Sequence, residues 1–332
     1  MKILVTGGAG YIGGTVAEGL VRNAHEAVLF DNLSHSGREL APAGMELIEG
    51  DVCDGAALRR TFAAAESEGK PFEAVMHFAG LIEAGESMAR PGIYFRNNTM
   101  GTLTLVEAMA ANGPKRLVFS STAAVYGTPE AVPIQEDAPV QPVNPYGESK
   151  ALSERILEWF GRIHGLRFAA LRYFNVAGAP AGAGRGEAHE PETHLIPRVL
   201  DVALGKQAAV KIYGDDYPTP DGTCIRDYIH ISDLAEAHLL ALSALENNER
   251  LIVNLGNGRG YSVHEVVESA RRVTGHPIPS EVHPRRPGDP AVLVASAEKA
   301  GRVLGWKPRV PELDAIVASA WQWHRKRYGG QQ

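Results

Sequence analysis

Residues 3–13 read Ile3-Leu4-Val5-Thr6-Gly7-Gly8-Ala9-Gly10-Tyr11-Ile12-Gly13. A short apolar run leads into glycines 7, 10 and 13, spaced G-x-x-G-x-x-G, and a helical stretch opens behind them. Only glycine lets the backbone turn this tightly and approach a pyrophosphate at a helix N-terminus. The segment predicts a dinucleotide site, with Gly7, Gly10, Tyr11, Ile12 and Gly13 against the cofactor.

Outward from this turn, strand-like runs at 2–6, 26–31, 46–49, 74–79, 116–121 and 168–174 alternate with helical stretches near 11–24, 54–66, 97–113 and 147–164. Such alternation predicts an α/β protein with a Rossmann-type doubly wound parallel sheet. From about residue 176 the character changes. Ala177-Gly178-Ala179-Pro180-Ala181-Gly182-Ala183-Gly184 reads as a flexible loop, and shorter elements follow between Pro- and Gly-rich loops. The expected organisation is a cofactor domain over 1–175 and a smaller C-terminal α/β substrate lobe over 176–332, with some later segments returning to the first.

The chain has 332 residues, 44% of them hydrophobic and 22% charged, an ordinary globular composition with room for two cores. A net charge of −6 argues against nucleic acid as a main partner, though not against a small anion in a local basic pocket. Cys53 and Cys224 are too few for a disulfide framework or a four-cysteine zinc site. They are expected as free, buried thiols, and no metal is expected. No apolar run approaches the roughly 18 residues that span a bilayer, and no signal peptide precedes the first strand, so the expected location is the cytoplasm. Asn97-Asn98-Thr99 fits a glycosylation sequon by coincidence.

Asp31 ends the second strand-like run, 18 residues past Gly13, where a carboxylate accepts from the adenosine ribose and repels a 2′-phosphate. The cofactor is therefore expected to be NAD, with Asn32 beside it. Asp51-Val52 is placed to meet the adenine. Phe78-Ala79-Gly80 ends the fourth run, where small residues admit the pyrophosphate and nicotinamide ribose. Ser120-Ser121-Thr122 brings a hydroxyl to the same rim. Tyr146 and Lys150 stand four apart on a helix, hence on one face. A tyrosine titrating near 10 is a poor base at neutral pH, and a nearby ammonium lowers that value. Thr122, Tyr146 and Lys150 form the expected catalytic set.

In this order, a glycine turn, a strand-end hydroxyl and a Tyr-x-x-x-Lys helix resemble the extended branch of the short-chain dehydrogenase/reductases. Downstream, Leu171-Arg172-Tyr173-Phe174-Asn175, Thr193-His194-Leu195-Ile196-Pro197, the long segment Tyr213–His230 and Arg285-Arg286-Pro287-Gly288-Asp289 closely resemble UDP-glucose 4-epimerases. The likeness runs nearly end to end. It implies a UDP-sugar substrate, with Arg226 and Arg286 on the diphosphate, Tyr213 beside the uracil and Asp289 on the uridine ribose. It implies Asn175, His194 and Leu195 on the nucleotide-sugar, Thr122 and Tyr146 at the hexose, and Asn97 and Phe174 with the cofactor. Thr122 replaces a serine of some members, Ile82 a lysine, and His194 an asparagine. Leu293 falls where some members place a pocket tyrosine, which implies room for an N-acetyl group.

The implied reaction interconverts UDP-glucose and UDP-galactose through hydride transfer from sugar C4 to tightly bound NAD and back to the opposite face. A 4,6-dehydratase is disfavoured, because Ala123-Ala124 follow Thr122 where that chemistry places Asp-Glu. A UDP-glucuronate 4-epimerase or another nucleotide-sugar oxidoreductase is the nearest alternative, and a non-catalytic NAD sensor a distant one. The resemblance also implies a homodimer through the helices near 97–113 and 147–164, with apolar Leu103, Leu105, Val106, Met109, Leu152, Ile156, Trp159 and Phe160.

Overall fold

The runs of the first half pair into one parallel sheet. The computed structural model describes residues 1–332 apart from Ala183, Pro287 and 330–332. Its strands are β1 (Lys2–Thr6), β2 (Glu26–Asp31), β3 (Glu46–Glu49), β4 (Ala74–His77), β5 (Arg116–Thr122), β6 (Arg167–Tyr173), β7 (Asn175–Ala177), β8 (Val210–Tyr213), β9 (Ile225–His230), β10 (Arg250–Leu255), β11 (Gly260–Ser262), β12 (Ser280–His283) and β13 (Val292–Leu293). Its helices are α1 (Tyr11–Arg22), α2 (Gly55–Ser67), α3 (Ala84–Ala89), α4 (Pro91–Tyr94), α5 (Gly101–Asn112), α6 (Pro145–His164), α7 (Leu195–Ala203), α8 (Ile231–Ala244), α9 (Val263–Thr274), α10 (Glu298–Leu304) and α11 (Leu313–Tyr328).

The large sheet runs β3-β2-β1-β4-β5-β6-β10, every neighbouring pair parallel. Strand order reverses between β1 and β4, and ligands of such sheets bind at the carboxyl ends beside that reversal. Both faces are covered, so the central strands are apolar throughout rather than alternating. Leu58, Phe62, Leu105, Met109 and Leu157 fill the layer under α2, α5 and α6. Val16, Leu20, Leu234, Leu242 and Trp306 fill the other, under α1, α8 and α10. Each such fully buried side chain stabilises the fold by about 1.5–3 kcal/mol over its exposed state.

The two lobes are not consecutive segments. β10, α8 and α10 come from beyond residue 175 yet pack on the large sheet. The smaller lobe has its own core of Val199, Leu200, Tyr228, Val266, Val267, Ile316 and Val317. β9 lies at its centre, parallel to β7 and β13 and antiparallel to β11. The start of the Ala177–Gly184 stretch differs from expectation, for Ala177, Gly178 and Ala179 are buried, while Ala183 lies outside the described residues. Tyr11 Oη donates to the Gly178 carbonyl at 2.6 Å, and the Ala179 amide donates to Ser319 at 3.1 Å. β4 stops at His77 because the Phe78 and Ala79 amides both turn to the Thr6 carbonyl. A π-turn over Phe95–Met100 precedes α5, which therefore starts later than expected.

Candidate active site

Gly7 holds φ +70°, and a Cβ there would stand 2.6 Å from the Ala79 amide nitrogen. A Cβ on Gly13 would stand 2.2 Å from the Gly7 carbonyl oxygen. Glycine is thus required for the β1 turn to close against both β4 and α1. Gly10 precedes α1, and neither a capping side chain nor an acidic first-turn residue meets the helix N-terminus. The amides from Tyr11 to Gly13 therefore open toward the carboxyl edge of the sheet, a ready seat for an anion.

Asp31 lies beside this turn. One carboxylate oxygen accepts from the Ala9 amide at 3.0 Å and the other from Leu33 at 2.9 Å. Asn32 donates to Asp51 at 3.1 Å, and Asp51 also accepts from the Cys53 amide, leaving Val52 buried beneath. At Gly80 a Cβ would stand 3.2 Å from Lys150 Nζ and 3.3 Å from Asn98 Oδ1. Asn97 donates to Asn98 at 3.0 Å, and Phe174 is buried. The open helix terminus, the strand-end carboxylate and the bare floor at Gly80 fit a dinucleotide.

α6 carries the reactive pair. Asn144 caps it by accepting from the Gly147 amide at 2.8 Å, with Pro145 in the first position. Lys150 is 3% exposed, lies over the Phe119 ring, and donates to the Ser120 carbonyl at 2.9 Å. Burial pushes its ammonium down to about 8. Tyr146 lies beside Thr122, whose hydroxyl accepts from the Ala124 amide at 3.1 Å. Burial pushes the phenol up to about 12, the Thr122 hydroxyl opposing and Glu83 adding to the rise. The expectation that Lys150 lowers this value needs correction for the protein alone: its ammonium is bonded to Ser120, and Thr122 is the group that favours the phenolate.

One turn beyond Lys150, Glu154 receives Arg172 at 2.5 and 2.9 Å and Ser121 at 2.5 Å. Arg172 also donates to Tyr126, which donates to Asn254. This buried network fixes α6 against β5 and β6. Asn98, 2% exposed, accepts from the Leu81 amide and donates to the Leu81 carbonyl and Ser149. Asn98, the middle residue of the apparent sequon, is therefore an internal brace between the β4 end and α6.

On the smaller lobe, Arg286 stacks on Tyr213 with 4.0 Å from guanidinium to ring centre. Arg226 pairs with Asp289, so the cation assigned to the diphosphate is held by the carboxylate assigned to the ribose. Leu293 is opposite Arg226 in the β13–β9 register and packs against a cluster containing Ala123, Val125, Ala151 and Phe174. Asn175 is opposite Tyr228, and Leu195 opens α7. Asp227, unassigned by sequence, accepts from the amides of Asn257, Gly258 and Ala295 at 2.7 to 3.1 Å and so holds the β13 end beside β9. Pro287 of the Arg-Arg-Pro-Gly-Asp segment lies outside the described residues.

Two expectations change. His194 Nδ1 faces Glu187 at 2.9 Å and Glu192 at 3.0 Å, so this ring nitrogen is engaged within the protein. These carboxylates raise the His194 imidazole, and His189 to about 9, while the imidazoles hold both carboxyls below their ordinary range. Cys53 is exposed rather than buried, because its turn crosses the sheet rim ahead of α2, and Cys224 is half-buried. Ile82 is exposed.

A parallel sheet with an open helix terminus at its reversal, faced by a Tyr-Lys-Thr set, defines an NAD-binding protein of the short-chain dehydrogenase/reductase type. The chain belongs to the NAD dependent epimerase/dehydratase family, whose model matches residues 3–256. It is 54% identical to a UDP-glucose 4-epimerase of Streptomyces lividans, over 97% of this chain and 96% of that one. A crystal structure of a UDP-glucose 4-epimerase superposes with a TM-score of 0.94 at 46% identity, covering all of both chains. The Bifidobacterium longum UDP-glucose 4-epimerase in complex with NAD+ and UDP gives 0.92 at 38% identity, again over both chains in full.

Proposed function

We propose that this protein interconverts UDP-glucose and UDP-galactose at sugar C4, with NAD retained through the cycle. The observation that carries this reading is the placement of Tyr146 beside Thr122 and buried Lys150, at the carboxyl edge where Gly80 leaves the floor open. NAD, when bound, would supply a reversible hydride acceptor for sugar C4 and a positive charge that favours the Tyr146 phenolate. Gly7, Gly10 and the first amides of α1 would hold its pyrophosphate, Asp31 its adenosine ribose, and Lys150 its nicotinamide ribose.

Tyr146 takes the proton of the sugar 4-hydroxyl and gives it back after the 4-keto sugar has turned over, with Thr122 sharing that proton. Arg226, Arg286 and Tyr213 hold UDP, because planar guanidinium groups suit phosphate oxygens. Concentrating binding on UDP leaves the hexose free to rotate. Ala123 and Ala124 offer no second acid or base, so elimination of water has no catalyst here. Leu293 favours a wider reading in which N-acetylated UDP-hexoses also enter. A reducing compartment such as the cytoplasm suits the free Cys53 and Cys224.

Purified protein incubated with UDP-galactose and no added NAD should yield UDP-glucose. No conversion, even after NAD is supplied, would overturn the reading.

A further inference from the structure

Four ligating side chains outside the Tyr146–Lys150–Thr122 set converge on one point. Glu187, His189, Glu192 and His194 lie between β7 and α7, and one ligand atom from each falls within 4.8 Å of all the others. His194 Nδ1 stands 2.9 Å from Glu187 Oε1 and 3.0 Å from Glu192 Oε1. His189 Nδ1 stands 3.3 Å from Glu187 Oε1 and 3.7 Å from Glu192 Oε2. Ligands at zinc distances of about 2.0–2.1 Å on a tetrahedron lie about 3.3 Å apart. The observed separations bracket that edge.

His189 Nδ1 adds a second observation: it is buried and has no hydrogen-bond partner, although two carboxylates stand in front of it. An ordinary imidazole–carboxylate pair aligns its N–H on one oxygen. This nitrogen faces both oxygens and bonds neither.

We propose that Glu187, His189, Glu192 and His194 bind one divalent transition metal of the zinc class. Two imidazole nitrogens and two carboxylate oxygens suit zinc, whereas magnesium and calcium take oxygen ligands alone. The ion's double charge neutralises the two carboxylates. Four protein ligands close the coordination sphere, so the site is structural. The ligands are themselves held: Glu192 Oε1 accepts from the Thr193 and His194 amides at 2.8 Å, and Trp323 donates to the Glu187 carbonyl at 3.2 Å.

The site staples a strap across the cofactor cleft. Arg185 donates to the Gly10 carbonyl at 3.1 Å and pairs with Glu18 at 3.2 Å. Thr193 bonds Glu83 at the strap's other end. The metal fixes the segment between these anchors. The expectation of no metal rests on the two cysteines, whereas this cluster is built of histidines and glutamates.

The test uses untagged full-length protein, stripped by dialysis against a chelator and titrated with zinc chloride or cobalt chloride. One equivalent of zinc per chain should bind and raise the melting temperature. Cobalt should give the intense visible bands of a tetrahedral site, bleached on adding zinc. His189→Ala and Glu187→Gln should each bind at least ~100-fold more weakly and lose the melting shift. Substoichiometric zinc, or a variant that binds as tightly as wild type, would overturn the proposal. Where a variant does not fold, the wild-type cobalt spectrum decides: without tetrahedral bands the site does not exist. Metal content is measured independently of turnover, so this outcome and that of the epimerase assay are separate.

Discussion

Tyr146 lies beside Thr122 in the protein alone, yet burial leaves the phenol near 12. Its task is thus confined to the complex that supplies positive charge. Tyr146→Phe should lower turnover at least about a hundredfold, the scale of a positioned acid/base, while UDP-sugar affinity stays within a few-fold. Near-normal turnover would remove Tyr146 from the mechanism. Asp31 gives a second prediction, since its carboxylate is pinned by Ala9 and Leu33 where the adenosine ribose would lie. Calorimetry on stripped protein should find NADP binding much weaker than NAD, and equal affinities would mean that Asp31 faces elsewhere. At Leu293 the argument is steric. Leu293→Tyr should suppress interconversion of UDP-N-acetylglucosamine and UDP-N-acetylgalactosamine selectively, because a clash discriminates more strongly than a lost contact. A wild type inert toward the acetylated pair would defeat the wider pocket and leave the glucose/galactose reading intact.

The elements show why part of this site was legible in sequence and part was not. The β1–α1 turn and the α6 pair are set by local spacing, so Gly7, Gly13, Tyr146 and Lys150 announce themselves within a few residues. Asn98, Glu154 and Asp227 act through partners far along the chain, Leu81, Arg172 and Ala295 among them. Before the strands are paired, nothing marks them from surface polar residues. β10 was missed for a like reason: its pairing with β6 joins residues about eighty apart. Helix α6 also carries a cost that only the fold exposes, a lysine buried with its ammonium lowered to about 8. Between pH 8 and the ordinary value of 10.5 the unfolded chain binds a proton that the folded chain has released, so Lys150 makes stability rise with pH in that window. Lys150→Met should therefore be more stable than wild type at pH 7, with the gap closing as pH rises from about 8. Urea melts at pH 7, 8 and 9 measure it, and a gap independent of pH would mean that the folded lysine stays charged throughout, its ordinary value unshifted.

At the scale of the whole molecule, α6 has one face committed inward and one left open. Lys150, Glu154 and Leu157 face the sheet, while Trp159 is 59% and Ile163 67% exposed. Leu152, Ile156, Trp159 and Ile163 recur at the spacing of one helical stripe, and Met100, ahead of α5, is 49% exposed nearby in sequence to that helix. Of the residues expected at an interface, Leu105, Val106 and Met109 are instead core, packed under the sheet. The outer stripe of α6 thus carries the proposal of a homodimer, since large apolar side chains grouped on one helix mark contact surfaces more often than solvent faces. A twofold arrangement would set the stripe against its own copy, where each added charge is opposed by another. Trp159→Glu combined with Ile163→Glu should give a monomer by light scattering at concentrations where wild type is a dimer. Turnover per chain should remain within a few-fold, because both side chains point away from Lys150 and Thr122. Wild type that scatters as a monomer at micromolar concentration would defeat the dimer and leave the reaction unaffected, for the described catalytic set is complete within one chain.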